Sequence, residues 1–168
     1  MSLPTRTWRR ILAGGALAVC TLAAAPSFAI VNNSPSPIDT DANGLGLQGY
    51  DPVAYFTAGA ATLGDPKFQA KHNGATYYFA SAEDLQKFKA NPEAYLPRYG
   101  GFCAMGTAHG IKLEGDPHVW KVVDDKLYVN VNPDVGRAWL QNIPGNIAKA
   151  NDNWPKIKDK TPSDLQPH

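Results

Sequence analysis

Cysteine is scarce in this chain, which has 168 residues and only two thiols, Cys20 and Cys103. Cys20 lies in an N-terminal segment that we expect to be removed, so Cys103 has no intramolecular disulfide partner. This excludes a disulfide framework, although exported domains usually pair their cysteines. A lone exported thiol is either buried and inert or kept for its reactivity, and the functional interpretation depends on which applies.

A charge excess of one sign is also missing. The chain has 16 basic and 15 acidic residues, and without Arg6, Arg9 and Arg10 the balance is 13 basic against 15 acidic. No basic stripe remains, so we expect no nucleic-acid partner. Apart from the N-terminal run, no apolar segment is long enough to cross a membrane, so we expect no integral membrane anchor in the mature protein.

Residues 1–29 have the pattern of an export signal. Three arginines without any acid precede an apolar run at 11–25, and Ser27-Phe28-Ala29 then offers small residues at the cleavage positions. We therefore predict cleavage near Ala29 and a periplasmic or secreted protein. Arg9-Arg10 resembles part of a twin-arginine signal, so the choice between that route and the general secretory route stays open.

Composition divides the rest of the chain into three parts. Residues 30–48 are rich in Pro, Asn, Ser, Asp and Gly and lack periodicity, which predicts a flexible leader. Residues 156–168 combine prolines with many charges and predict a flexible tail. The segment 49–155 between them has the length of one domain with one core.

Two β-hairpins are predicted inside this domain. Asn73-Gly74 suits a two-residue turn because both positions tolerate positive φ. The flanking strands would run over 67–72 and 75–80. A second hairpin would join 119–123 to 127–131 around a turn at 124–126, with alternate side chains of the last strand on opposite faces.

Short helices are predicted after each hairpin. Ser81 has the position of a helix N-cap, with Asp84 three residues later. Two further helices would follow prolines, one over 133–140 and one from Pro144 to about Trp154. The order of hairpins and helices predicts a small α+β single domain, with two β-hairpins and several short helices.

Cys103, Met105 and His109 lie within seven residues and form the candidate metal site. A thiolate, a thioether and an imidazole are ligands that suit Cu(I) or another soft metal. On a helix, Met105 and His109 would share a face while Cys103 would point elsewhere. His118 and His72 could add ligands through the fold. The alternative is that Cys103 and Met105 are core residues, since both types are often buried.

A redox thiol is the second interpretation of Cys103. Gly100-Gly101 precedes a possible helix, and a helix N-terminus or a nearby cation such as Arg98 or His109 would lower the thiol pKa. The chain contains no resolving cysteine, so a disulfide intermediate would need a partner thiol.

Asp51 and Tyr55 are the candidate ligand-binding residues. Gly-Gly permits close backbone approach, and we expect the Gly100-Gly101 turn to bring Cys103 under the aromatic segment that contains Asp51 and Tyr55. The three side chains would then line one pocket with apolar walls and a few polar groups. The alternative for Asp51 is that it fixes a turn before Pro52.

Five short motifs in a fixed order carry a family resemblance. They are Gly49-Tyr50-Asp51-Pro52-Val53-Ala54-Tyr55-Phe56, Asn73-Gly74-Ala75-Thr76-Tyr77-Tyr78-Phe79-Ala80-Ser81, Asn91-Pro92-Glu93-Ala94-Tyr95, Tyr99-Gly100-Gly101-Phe102-Cys103-Ala104 and Ile143-Pro144-Gly145-Asn146-Ile147-Ala148-Lys149-Ala150. The first three resemble the YHS domain, a small module found in metal-handling proteins, and the whole set resembles the secreted bacterial branch of that family.

The resemblance implies metal or redox chemistry but does not carry over the metal ligands. Metal-linked YHS domains typically have cysteine where this chain has Ala54 and Ala80. Some members of the secreted branch are selenoproteins, and a selenocysteine at the position of Cys103 would make that position a redox one.

Three hypotheses for function follow. The first is an exported YHS-type protein that binds or responds to a soft metal ion such as Cu(I), without enzymatic turnover. The second is a thiol-based redox protein with Cys103 as its reactive centre. The third is an interaction domain without chemistry of its own. The expected partner is a metal ion or a small molecule.

Overall fold

The computed structural model describes residues 33–165, and the predicted export signal lies outside this range. The described residues form a small α+β domain with five α-helices and two two-stranded antiparallel sheets, as predicted. The strands are β1 (Asp65–His72), β2 (Ala75–Phe79), β3 (Asp116–Val123) and β4 (Lys126–Asn130). The helices are α1 (Ala54–Thr57), α2 (Ala82–Ala90), α3 (Ala104–Ala108), α4 (Pro133–Leu140) and α5 (Ile143–Ile157).

The first hairpin pairs β1 with β2 across the predicted Asn-Gly turn. Asn73 and Gly74 have φ of 48° and 88°, the left-handed backbone that a tight hairpin turn requires. Tyr77 and Phe79 of β2 point into a core that α2 closes with Phe88. Alternation along the strand therefore places every second side chain of β2 in the interior.

The second hairpin pairs β3 with β4 and has a shorter turn than predicted. Asp124 and Asp125 take up the turn with φ of 48° and 55°, and Lys126 already pairs with Val123. Aspartate is one of the few residues other than glycine that readily adopts left-handed backbone angles. The predicted three-residue turn is therefore one residue too long.

Strand β4 is buried on both faces. Leu127 and Val129 pack with Tyr55 of α1 on one side. Tyr128, on the other side, packs with Trp139 of α4 in the cluster that α3 and α5 complete. The predicted alternation is confirmed, and the strand forms the wall between two parts of the core.

The helices begin where the sequence predicts them. The side chain of Ser81 accepts a hydrogen bond from the N–H of Asp84 at 3.1 Å, which caps α2. Asn132 caps α4 in the same way through the N–H of Val135 at 2.9 Å. Helix α5 runs past Trp154 and Pro155 to Ile157, further than predicted.

The described part of the predicted leader packs on the domain. Leu47 is buried, Ile38 packs against the core beside β2, and the N–H of Asp39 donates to the carbonyl of Gly100 at 2.9 Å. The buried ammonium of Lys112 donates to the carbonyls of Ser36 at 2.7 Å, Lys158 at 3.1 Å and Lys160 at 2.8 Å. Residues before position 49 and residues after position 155 thus both contact the domain.

Among residues 33–165, no helix combines the length and the apolar character that a membrane crossing needs.

Candidate functional site

Cys103 lies at the N-cap of α3, as the sequence suggested, but it is completely buried. Its sulfur accepts the N–H of Gly106 at 3.3 Å and donates to Oδ1 of Asn130 at 3.5 Å. Burial raises the pKa of the Cys103 thiol, and this effect exceeds the lowering by the N–H donors of Gly106 and Met105. A redox role for Cys103 would require a lowered thiol pKa, whereas burial acts in the opposite direction here and outweighs the helix N-terminus.

Met105 and His109 do not face the thiol. Met105 packs against the core cluster that contains Tyr128 and Trp139. His109 is exposed at the far end of α3. Within residues 33–165, no group of three or more His, Cys, Asp or Glu side chains is arranged to hold a metal ion. Cys103, Met105 and His109 therefore point to three different surroundings.

Two further histidines, His72 and His118, have partners of their own. His72 contacts the carboxylate of Glu93 at 3.0 Å, and His118 lies 2.8 Å from the hydroxyl of Tyr50. Arg98, considered as a cation for the thiol, lies over the ring of Tyr99 at 5.9 Å instead. None of these side chains joins Cys103 in a common site.

Asp51 and Tyr55 hold the fold together. The carboxylate of Asp51 is completely buried and accepts the N–H groups of Val53 and Ala80, each at 2.8 Å, so it joins the start of α1 to the end of β2. Burial raises the pKa of Asp51, and the two N–H donors oppose the rise. Tyr55 donates to the carbonyl of Pro117 at 2.9 Å. The turn-fixing alternative for Asp51 accounts for the contacts of its carboxylate.

A cleft lies elsewhere on the described domain, and we call it the Tyr77 cleft. It has a volume of about 560 Å³ and gathers five separate stretches of the chain. Its lining residues are Pro37, Ile38, Asn73, Tyr77, Glu93, Ala94, Leu96, Pro97, Arg98, Tyr99, Gly100, Asp125, Lys126 and Trp154. Cys103, Asp51 and Tyr55 are not among them.

The hydroxyl of Tyr77 is the unusual polar group of this cleft. The residue as a whole is only 2% exposed, but its hydroxyl is not fully enclosed and forms no hydrogen bond with any residue of the described chain. Burial raises the pKa of the phenol, with a further rise from the charge of Glu93. By contrast, the buried Tyr99 donates to Asn151 at 3.0 Å.

Charges on the rim of the Tyr77 cleft are balanced. Arg98 and Lys126 supply two cations, and Glu93 and Asp125 supply two acids. Glu93 is engaged by His72, whereas Arg98 forms no ion pair within residues 33–165. The lining of the cleft contains no cysteine, serine or histidine.

The cleft was not predicted from the sequence. Arg98 was considered only as a cation beside Cys103, and Tyr77 lies on the inward face of β2. The cleft depends on contacts between distant segments, such as Asn73, Lys126 and Trp154. No local pattern could reveal it.

No protein-family model, curated protein or solved structure matches this chain.

Proposed function

We propose that this domain is a binding module that holds a small planar aromatic molecule in the Tyr77 cleft, without enzymatic turnover. The observation that carries the proposal is the hydroxyl of Tyr77, which lies in the wall of the cleft and forms no hydrogen bond within residues 33–165. A phenol hydroxyl can donate one hydrogen bond, and no acceptor of the described chain competes for it. A ligand with a hydrogen-bond acceptor supplies the missing partner.

The size and walls of the cleft fit such a ligand. Its volume of about 560 Å³ lies within the range of about 300–1,000 Å³ that is common for small-molecule sites. Trp154, Leu96 and Ile38 provide apolar and aromatic wall surface. Planar aromatic molecules gain from stacking or edge contacts with such rings.

The balanced rim favours a ligand without net charge. Two cations and two acids border the cleft, so neither an anion nor a cation gains a long-range advantage. An uncharged heteroaromatic, or a zwitterion, meets the rim without an unpaired charge.

Quinoline tests the proposal because it has two fused rings and one nitrogen acceptor. We expect saturable binding by calorimetry, and we expect Tyr77→Phe to weaken it about 3- to 10-fold, the usual range for one hydrogen bond. Tyr78→Phe is the matched control, since Tyr78 lies on the opposite face of the same strand. It should bind quinoline as the unaltered protein does.

Two results would oppose the proposal. Failure of quinoline and of zwitterionic tryptophan to bind would remove the cleft as a small-molecule site. Equal losses in Tyr77→Phe and Tyr78→Phe would show that the Tyr77 hydroxyl does not contact the ligand.

The soft-metal hypothesis stays a prediction with its own test. It requires Cys103 to turn toward Met105 and His109, which lie in different surroundings in this structure. Native mass spectrometry of residues 30–168 with Cu(I), Zn(II) and Ni(II), under reducing and oxygen-free conditions, decides it. One stoichiometric ion lost in Cys103→Ala would support the hypothesis, and no retained ion would remove it.

A further inference from the structure

A second, smaller cavity lies between β3 and α4, and we call it the Trp139 cavity. Its volume is about 180 Å³, and its lining residues are Val119, Trp120, Lys121, Asn130, Pro133, Gly136, Arg137, Trp139 and Leu140. Helix α4 approaches β3 closely at Gly136, where a Cβ atom would lie 2.6 Å from the side chain of Val119. The cavity is therefore built by the packing of two defined elements.

Two donors in the lining have no acceptor among residues 33–165, and one of them is a fully buried atom. The indole nitrogen of Trp139 is buried and has no hydrogen-bond partner among the described residues. Asn130 is 2% exposed, and its Oδ1 accepts the N–H of Met105 at 3.0 Å and contacts Cys103 at 3.5 Å. Because Oδ1 is held by α3, the amide nitrogen of Asn130 is left without a partner in residues 33–165.

The charges at this cavity have one sign. Lys121 is exposed and forms no ion pair within the described chain, and Arg137 pairs with Asp134. No acidic side chain is among the lining residues. Every polar side chain in the lining is therefore a donor or can act as one.

We propose that the Trp139 cavity binds a small organic carboxylate. A carboxylate offers acceptors only, which matches the unpartnered indole and amide donors and the free ammonium of Lys121. Trp120, Val119 and the 47% exposed Leu140 provide surface for an apolar or aromatic body. An inorganic anion would leave that apolar surface unused. This proposal is independent of the Tyr77 cleft.

Contact with the Trp139 nitrogen needs a small rearrangement. The nitrogen has almost no accessible surface in this conformation. The rim consists of flexible exposed side chains, Lys121, Arg137 and Leu140, whose rotamers can change to admit a carboxylate oxygen. Satisfying a buried donor recovers the free energy that its isolation costs.

Benzoate is the test ligand, and benzamide, its uncharged isostere, is the control. The indole N–H signals of Trp120, Trp139 and Trp154 in a ¹H–¹⁵N spectrum report on the two sites separately, because Trp154 lines only the Tyr77 cleft. At constant ionic strength we expect benzoate to move the Trp139 signal in a saturable manner. Benzamide should bind at least about 10-fold more weakly.

Variants assign the contacts. Trp139→Phe should lower benzoate affinity about 10-fold because the N–H donor is lost. Lys121→Gln changes an exposed site that should not affect folding, and it should lower benzoate affinity about 2- to 5-fold. Lys89→Gln, at an exposed site on α2 that lines neither cavity, is the control and should leave affinity unchanged. Equal binding of benzamide would overturn the carboxylate class. An unmoved Trp139 signal, or a shift of Trp154 alone, would overturn the site.

Discussion

At the scale of single residues, function is indicated by polar groups that the fold leaves without partners. Cys103 attracted attention in the sequence, but its sulfur is buried and engaged by Gly106 and Asn130. The indole nitrogen of Trp139 is buried without a partner, and the hydroxyl of Tyr77 in the wall of the cleft forms no hydrogen bond within the described chain. A chemically reactive residue type such as cysteine is therefore a weaker indication of function here than a polar group without a hydrogen-bond partner.

The first prediction concerns the reactivity of Cys103. Because burial shields the thiol and raises its pKa, iodoacetamide should alkylate it slowly below pH 9 and rapidly only in denaturant. The matched control is Ala60→Cys combined with Cys103→Ala, which moves the thiol to an exposed position and should react readily. Rapid alkylation of native Cys103 with a midpoint below the free-thiol value of about 8.5 would instead restore the redox hypothesis.

The second prediction is a pH dependence that originates at Asp39. Burial raises its pKa from 3.8 to about 7, although the N–H of Gly115 donates to it at 2.8 Å. Between about pH 4 and pH 7 the folded state keeps a proton that the unfolded chain has released. The contribution of Asp39 to the free energy of unfolding should therefore fall as pH rises through that range.

Urea unfolding at several pH values measures this contribution as a difference. In Asp39→Asn the side-chain oxygen can still accept the N–H of Gly115, but the side chain does not titrate. The stability of this variant relative to the unaltered protein should therefore increase as pH rises from 4 to 7. A stability difference that does not change over this range would show that Asp39 has an ordinary pKa.

At the scale of elements, the turn at Arg98–Gly101 fastens the segment before the domain to its core. Gly100 has φ of 63°, and an added Cβ would collide with the carbonyl of Pro37. The N–H of Asp39 reaches the carbonyl of the same glycine. Pro37 and Ile38 then become part of the wall of the Tyr77 cleft. The segment assigned to the leader thus helps to build the site.

The third prediction separates the cost of a left-handed backbone from the cost of the close contact between Gly100 and Pro37. Gly59 has the same φ of 63° but no atom within 4 Å of an added Cβ. Gly59→Ala should lose about 1–2 kcal/mol of unfolding free energy, the cost of the left-handed backbone. Gly100→Ala carries that cost and a backbone collision, so it should lose clearly more in urea unfolding. Equal losses would mean that residues 37–38 do not pack on Gly100.

At the scale of the whole molecule, local features were predictable and the cleft was not. Turn residues such as Asn73-Gly74 and caps such as Ser81 act within a few residues, so the sequence revealed the hairpins and helix starts. The burial of Cys103 depends on Asn130, which lies far along the chain on β4. The Tyr77 cleft likewise needs Asn73 and Trp154 to meet, which no short-range pattern encodes.

The most direct test of the binding-module account is a backbone and indole ¹H–¹⁵N shift map of the protein saturated with quinoline. The account predicts changes that centre on Asn73, residues 93–100, residues 125–126 and the indole of Trp154, which surround the Tyr77 cleft. Shifts that centre on residues 103–109, or no saturable shifts, would contradict it.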